Sequence, residues 1–151
     1  MEDNRTNKML ETKNIKYLVV HCSDTPDDQD LNGYDIHKMH IGFGWDGIGY
    51  HQIILRNGDL QSGRPEYWKG AHAYGYNDKS LGVCLIGRKN FNSQQLITLR
   101  FLLDALKQKY PNSSIVGHYE ITRSDKTCPN FNVQDWLINR SENVTTNKTD
   151  N

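Results

Sequence analysis

A single mixed α/β domain, with a central β-sheet flanked by helices, is what the sequence predicts, and three observations predict it. The run Leu81-Gly82-Val83-Cys84-Leu85-Ile86 is continuously apolar rather than alternating, as expected of a central strand covered on both faces. Leu96, Leu99, Leu103, Leu106 and Tyr110 recur at helical spacing between a polar start at Asn92 and a stop at Pro111. Short apolar runs alternate with helical stretches along 151 residues, enough for one core and too few for two comfortable ones.

In chain order, residues 1–13 are polar and mixed in charge and read as an amino-terminal tail. Residues 15–20 are apolar and β-branched, a buried strand that delivers His21 at its end. After a turn-rich stretch, Tyr34, Ile36, Met39 and His40 fit a short helix ending near Gly42 or Gly44. Residues 49–55 and 60–63 flank Arg56-Asn57-Gly58-Asp59, and Asn-Gly between apolar runs marks a hairpin. A loop rich in aromatic residues and glycine, 65–79, precedes the central strand. Asn92 is the expected cap of the long helix, whose apolar face Ile97, Phe101 and Leu102 should widen. Residues 115–116 make a short strand leading to His118, and residues 133–139 a last helix with Trp136 and Leu137 inward. The domain is therefore expected over residues 14–139. Residues 140–151 read as a disordered polar tail, because the glycosylation acceptors opened by Asn139, Asn143 and Asn147 come without a secretory signal.

Composition narrows the partners. Lysine plus arginine and aspartate plus glutamate balance at 18 each, so no global field recruits nucleic acid or an anionic membrane. The first ten residues hold no leader-like apolar stretch and no run approaches a membrane span, so a cytoplasmic chain without membrane insertion is expected. Cys22, Cys84 and Cys128 are odd in number and widely spaced, which argues against a disulfide framework.

Chemistry concentrates on two strand ends and one thiol. His21 and His118 each close a short apolar run, and Cys128 follows His118 by ten positions. Taken alone, a strand-end histidine reads first as a satisfied core residue. Two imidazoles with a thiolate, however, are the ligand set of an open zinc site, and no Cys-x-x-Cys or His-x-x-x-His pair offers a fourth ligand, which leaves that position to water. Lys126 lies two residues before Cys128, so in an extended segment both point to one face, where an ammonium can stabilise a developing oxyanion; by itself it is an ordinary surface lysine. Of Tyr50-His51, alternation lets only one face the pocket, and a tyrosine there can hydrogen-bond the water or pack as half-buried surface. His72, between Ala71 and Ala73, fits a substrate-contacting loop position or a solvent-exposed histidine equally. Cys22 and Cys84 read as small buried hydrophobes, with Cys22 on the face opposite His21, while His37 and His40 read as structural.

These residues resemble a known pattern. The chain is similar to the zinc-dependent N-acetylmuramoyl-L-alanine amidases of the T-seven phage lysozyme type, within the superfamily of type-two amidases and peptidoglycan recognition proteins. The landmarks run in one order over residues 16–137: Val19-Val20-His21-Cys22-Ser23, Gly44-Trp45, Gly49-Tyr50-His51, Gly63-Arg64, Ala71-His72-Ala73, Gly75-Tyr76-Asn77, Ser80-Leu81-Gly82-Val83-Cys84 and residues 118–129. The resemblance implies one zinc ion per chain on His21, His118 and Cys128, with Tyr50 and Lys126 as catalytic residues. It implies cleavage of the amide between N-acetylmuramic acid and the first L-alanine of the peptidoglycan stem, by a monomeric endolysin that lyses the host. Cys84 stands where related recycling amidases carry an acidic residue, which makes Tyr50 the partner of the water. The gap from His118 to Cys128 is instead like that of the recycling enzymes, so residues 121–125 transfer least. Two other roles travel with the resemblance: a non-catalytic peptidoglycan recognition module, and regulatory binding to a phage RNA polymerase. The presence of Cys128, Tyr50 and Lys126 favours catalysis over recognition alone.

Overall fold

A computed structural model describes residues 8–122 and 125–139; the first seven residues of the expected tail at 1–13, part of the loop at 121–125 and the expected tail at 140–151 lie outside the described residues. Its frame is a five-stranded sheet in the order β3-β2-β4-β1-β5, built from β1 (Tyr17–Cys22), β2 (Gln52–Ile54), β3 (Leu60–Ser62), β4 (Ser80–Leu85) and β5 (Ser114–Gly117). β1 runs parallel to both β4 and β5, β2 runs parallel to β4, and only β3 is antiparallel to its neighbour. Helices α1 (Gly33–Gly42), α2 (Ser93–Lys109), α3 (His118–Ile121) and α4 (Val133–Ile138) complete the domain, which is the mixed α/β class expected.

Register decides which side chains share a face. Leu18, Val20 and Cys22 of β1 pair with Leu81, Val83 and Leu85 of β4, and all six join one core with Leu99, Leu103 and Leu106 of α2. Each such leucine stabilises the fold by roughly 1.5–3 kcal/mol on full burial. The intervening residues turn to the other face, where His21, Cys84 and Ile53 stand abreast across three strands. That second face carries the polar chemistry.

Local signals end the helices where the sequence says they should. Asn92 accepts from Gln95 N at 2.9 Å and its own N–H donates to Gln95 Oε1, a capping box that Asn32 and Asp35 repeat at α1. Gly44, at φ +91°, closes α1 in a left-handed conformation, and Gly58, at φ +92°, does the same for the hairpin turn.

Two expectations change. Ile97 and Phe101 do not widen the buried face of α2; they are 61 % and 79 % exposed, because the stripe through Leu96, Leu99, Leu103 and Leu106 already fills the sheet contact and the pair lies on the next flank. The described part of the amino-terminal segment is docked rather than trailing. Leu10 is buried, its N–H donates to Tyr67 O at 2.8 Å, Met9 bridges to Trp68, and Lys69 N donates to Lys8 O. Among the described residues no helix is long and apolar enough to cross a membrane.

Candidate active site

β1 and β5 bring the two strand-end histidines together. Val20 pairs with Gly117, so the next residue on each chain segment, His21 and His118, emerges side by side with ring centroids 4.4 Å apart. Gly117 is required here, since a Cβ on it would lie 2.4 Å from the Tyr119 ring. His118 opens the one-turn helix α3, and Glu120 accepts the N–H of Gly117 at 2.7 Å, fixing the exit from the strand.

Cys128 is sewn to the same place from both sides. Its carbonyl accepts from Tyr119 N at 3.0 Å, and its Sγ accepts from Cys22 N at 2.9 Å. A turn holds the segment beyond it, with Asn130 N donating to Thr127 O and the peptide between Cys128 and Pro129 cis. As a result one ligand atom each from His21, His118 and Cys128 lies within 4.8 Å of the others, a set of three around one centre. Imidazole nitrogen and thiolate sulfur are the donors a borderline-soft divalent cation prefers.

Burial sets the protonation of this cluster. His21, 2 % exposed, is held well below the usual histidine range by burial, then by His72, His118 and Lys126. Burial and then Lys126 lower His118 as well. Both rings are thus neutral at neutral pH and each keeps a lone pair for a cation. The Cys22 thiol beside it and burial push the Cys128 thiol up, so a cation binding there must displace a proton.

Tyr50 faces the cluster, its ring centroid 5.1 Å from that of His21, and burial and then the neighbouring thiols of Cys84, Cys128 and Cys22 keep its phenol protonated. His51, as alternation demands, turns elsewhere: its Nδ1 accepts from Gly82 N at 3.0 Å and its Nε2 donates to Trp68 O at 2.8 Å. His37 and His40 are structural, their Nδ1 atoms accepting from Ile48 N and Gly49 N and thereby pinning the approach to Tyr50. Cys22 joins the core on the face opposite His21, yet its backbone meets Cys128; Cys84 is fully buried beside Tyr50.

Lys126 is exposed and lines, with His118, Trp45 and Tyr74, a groove of about 1060 Å³. His72 lines the same groove but is only 9 % exposed, so the solvent-exposed alternative does not apply. Its Nδ1 lies 2.8 Å from His21 Nε2 and its Nε2 3.2 Å from Ser80 Oγ. Ser80, Asn77 and Tyr76 hold His72 in place; they stand among the landmarks of the resemblance, but nothing local in the sequence ties them to His72. Two glycines, Gly70 and Gly82, make room for its ring.

The chain has relatives over nearly all of the domain. A family model described as N-acetylmuramoyl-L-alanine amidase matches residues 11–131. The endolysin of Escherichia phage T7 is 37% identical over 139 residues, spanning 87% of this chain and 90% of that protein. The endolysin of Enterobacteria phage K11 is 37% identical over 126 residues, 78% of this chain and 82% of its own length. Among solved structures, the N-acetylmuramoyl-L-alanine amidase LysC from Clostridium intestinale superposes with a TM-score of 0.75 at 29% identity, covering 89% of this chain and 90% of that one. A match across nearly the whole domain, in sequence and in fold, places the chain in the N-acetylmuramoyl-L-alanine amidase family.

Proposed function

We propose that this endolysin-type amidase works as a zinc hydrolase, with His21, His118 and Cys128 as the metal ligands and Tyr50 and Lys126 as the catalytic residues. The bond cut is the amide joining the lactyl group of N-acetylmuramic acid to the first L-alanine of the stem peptide in bacterial peptidoglycan. The observation that carries the reading is the convergence of two neutral imidazoles and one thiol around one centre, with one of the imidazoles, that of His118, lining an open groove. Three protein ligands suit a catalytic rather than a structural zinc, because a closed structural site takes four.

When bound, the ion supplies Lewis acidity, which polarises a carbonyl and acidifies water. The chain supplies the rest. Lys126, on the groove wall beside His118, offers its ammonium to the negative charge that grows on the scissile carbonyl oxygen. Tyr50 stays a neutral phenol by burial, so it is a proton donor in hydrogen bonds at the reacting centre and assists proton movement to the leaving alanine amine. Trp45 and Tyr74 present exposed aromatic surface at the groove, suited to a sugar ring or an apolar stem residue. His72 sits deeper on the same wall.

The endolysin setting rests on the two phage relatives, both of which this chain matches over most of their length. Accumulation inside the host and release onto the wall follow as a proposal from that setting. Digestion of intact sacculi tests it: new amino-terminal alanine without new reducing sugar is the expected product. Activity confined to soluble muropeptides, with sacculi untouched, would instead indicate recycling, and new reducing ends would overturn the bond assignment.

A further inference from the structure

A chain of hydrogen bonds ending on a backbone carbonyl fixes where the protons sit behind the ligand cluster. A carbonyl oxygen only accepts, so the Ser80 hydroxyl, 2.7 Å from Tyr76 O, gives its single hydrogen there. Ser80 Oγ can then only accept from the His72 Nε2 that lies 3.2 Å away, which puts a hydrogen on that nitrogen. His72 is buried and both its ring partners are uncharged groups, a setting that favours neutral imidazole with a bare Nδ1. The His21 Nε2 at 2.8 Å must therefore donate, and the other nitrogen of His21, Nδ1, is left with its lone pair free.

We propose that His72 is a positioning residue which, held by Ser80 and the Tyr76 carbonyl, locks His21 in the tautomer that presents Nδ1 to the metal. The proposal rests on the assignment of His21 as a zinc ligand made above. It gives His72 a role exercised through His21 rather than on the substrate, since both ring nitrogens are engaged inside the protein. The rest of the site is shaped for it. His72 N and Ala73 N both donate to Asn77 Oδ1, at 2.9 and 3.0 Å, which clamps the loop. A Cβ on Gly70 or Gly82 would lie 2.5 or 2.6 Å from the His72 ring, so two glycines define its slot. His51 does not compete, because its own hydrogen is committed to Trp68 O. A partner that fixes the tautomer and the ring plane of a metal-bound histidine raises its basicity, and losing such a partner lowers metal affinity on the order of 10–100-fold.

The test joins two measurements. Long-range proton–nitrogen NMR of the nitrogen-15-labelled, metal-free chain should show both His21 and His72 protonated at Nε2. Zinc titration against a chelator should show His72→Ala weakened on the order of 10–100-fold, with most of the loss recovered in His72→Asn, whose side-chain oxygen stands near the position of Nδ1. Ser80→Ala should leave His72 in a mixture of tautomers. A metal-free His21 protonated at Nδ1 overturns the proposal. So does a folded His72→Ala chain that binds zinc like the parent and shows only a raised KM, the sign of a substrate contact. If His72→Ala does not fold, the tautomer measurement on the parent chain decides. Failure of the zinc assignment itself is distinguishable: there the parent binds no zinc, or His21→Ala binds it undiminished.

Discussion

His21 and His118 face each other at 4.4 Å because each directly follows a member of the same cross-strand pair, Val20 with Gly117, on adjacent parallel strands. A one-residue slip of that register would turn His21 to the opposite face and into the core beneath α2. The site is thus specified by backbone pairing before any side chain of the cluster meets another.

Removing either ligand that comes from outside β1 should dissolve the centre. His118→Ala and Cys128→Ala are expected to lose stoichiometric zinc, measured by elemental analysis of the purified chain, and to lose turnover with it. His118 lines the groove and Cys128 is only partly buried at the edge of the core, so circular dichroism should report a folded protein.

Lys126→Ala and Tyr50→Phe should separate binding from chemistry. Zinc content stays near one per chain, while kcat falls about 10²–10³-fold for the lysine and about 10²–10⁴-fold for the phenol. A change confined to KM would assign either residue to substrate binding instead.

Metal affinity should rise with pH. The Cys128 thiol is pushed up by Cys22 and by burial, and must lose its proton to bind, whereas His21 and His118 are held low and are already neutral above about pH 6.5. Between pH 7 and 8.5 the zinc association constant is therefore expected to climb about tenfold per pH unit, one proton being released per ion bound. A flat profile in a competition titration would mean that Cys128 is a thiolate without the metal.

Stability of the metal-free chain runs the same way for another reason. His21, His72, His51 and His40 all titrate lower when folded than when unfolded, chiefly through burial, with His40 held down to about 4. Below pH about 6.5 the unfolded chain binds protons that the folded chain refuses, so stability is complete above that pH and is lost as pH falls toward 4. Thermal unfolding should show a level Tm from pH 8 to 7 and a steady decline beneath, with a shallower decline in His40→Asn.

Cys84→Ala should cost about 1 kcal/mol through a small cavity and spare the reaction, because Cys84 is fully buried and lies beside Tyr50 without joining the ligand cluster. Urea unfolding and turnover on the same preparation check it. A folded variant without turnover would give Cys84 a part in the chemistry.

Much of this was legible in the sequence, and the parts that were not share a cause. The strand ends at His21 and His118, the hairpin at Gly58 and the cap at Asn92 are local signals, written in neighbouring residues. Their parallel pairing joins segments far apart in the chain, which no local pattern announces. Ile97 and Phe101 defeat such reading, because periodicity gives the direction of a helix face but not how much of it the sheet will cover. Leu10 does so too: two adjacent apolar residues in a polar stretch, Met9 and Leu10, have no period, and only the pairing of this segment with Tyr67 and Trp68 makes Leu10 core. His72 is the clearest case, since its neighbours His21 and Ser80 are 51 and 8 residues away and nothing in Ala71-His72-Ala73 announces either contact.

The central claim, hydrolysis at a three-ligand zinc site, is tested most directly by titrating zinc into chelator-stripped protein while counting new amino-terminal alanine released from sacculi. Release should rise in proportion to zinc bound, saturate at one ion per chain, and be absent from Cys128→Ala at any zinc concentration that leaves the parent saturated. Full release from stripped protein, or from metal-free Cys128→Ala, would contradict it.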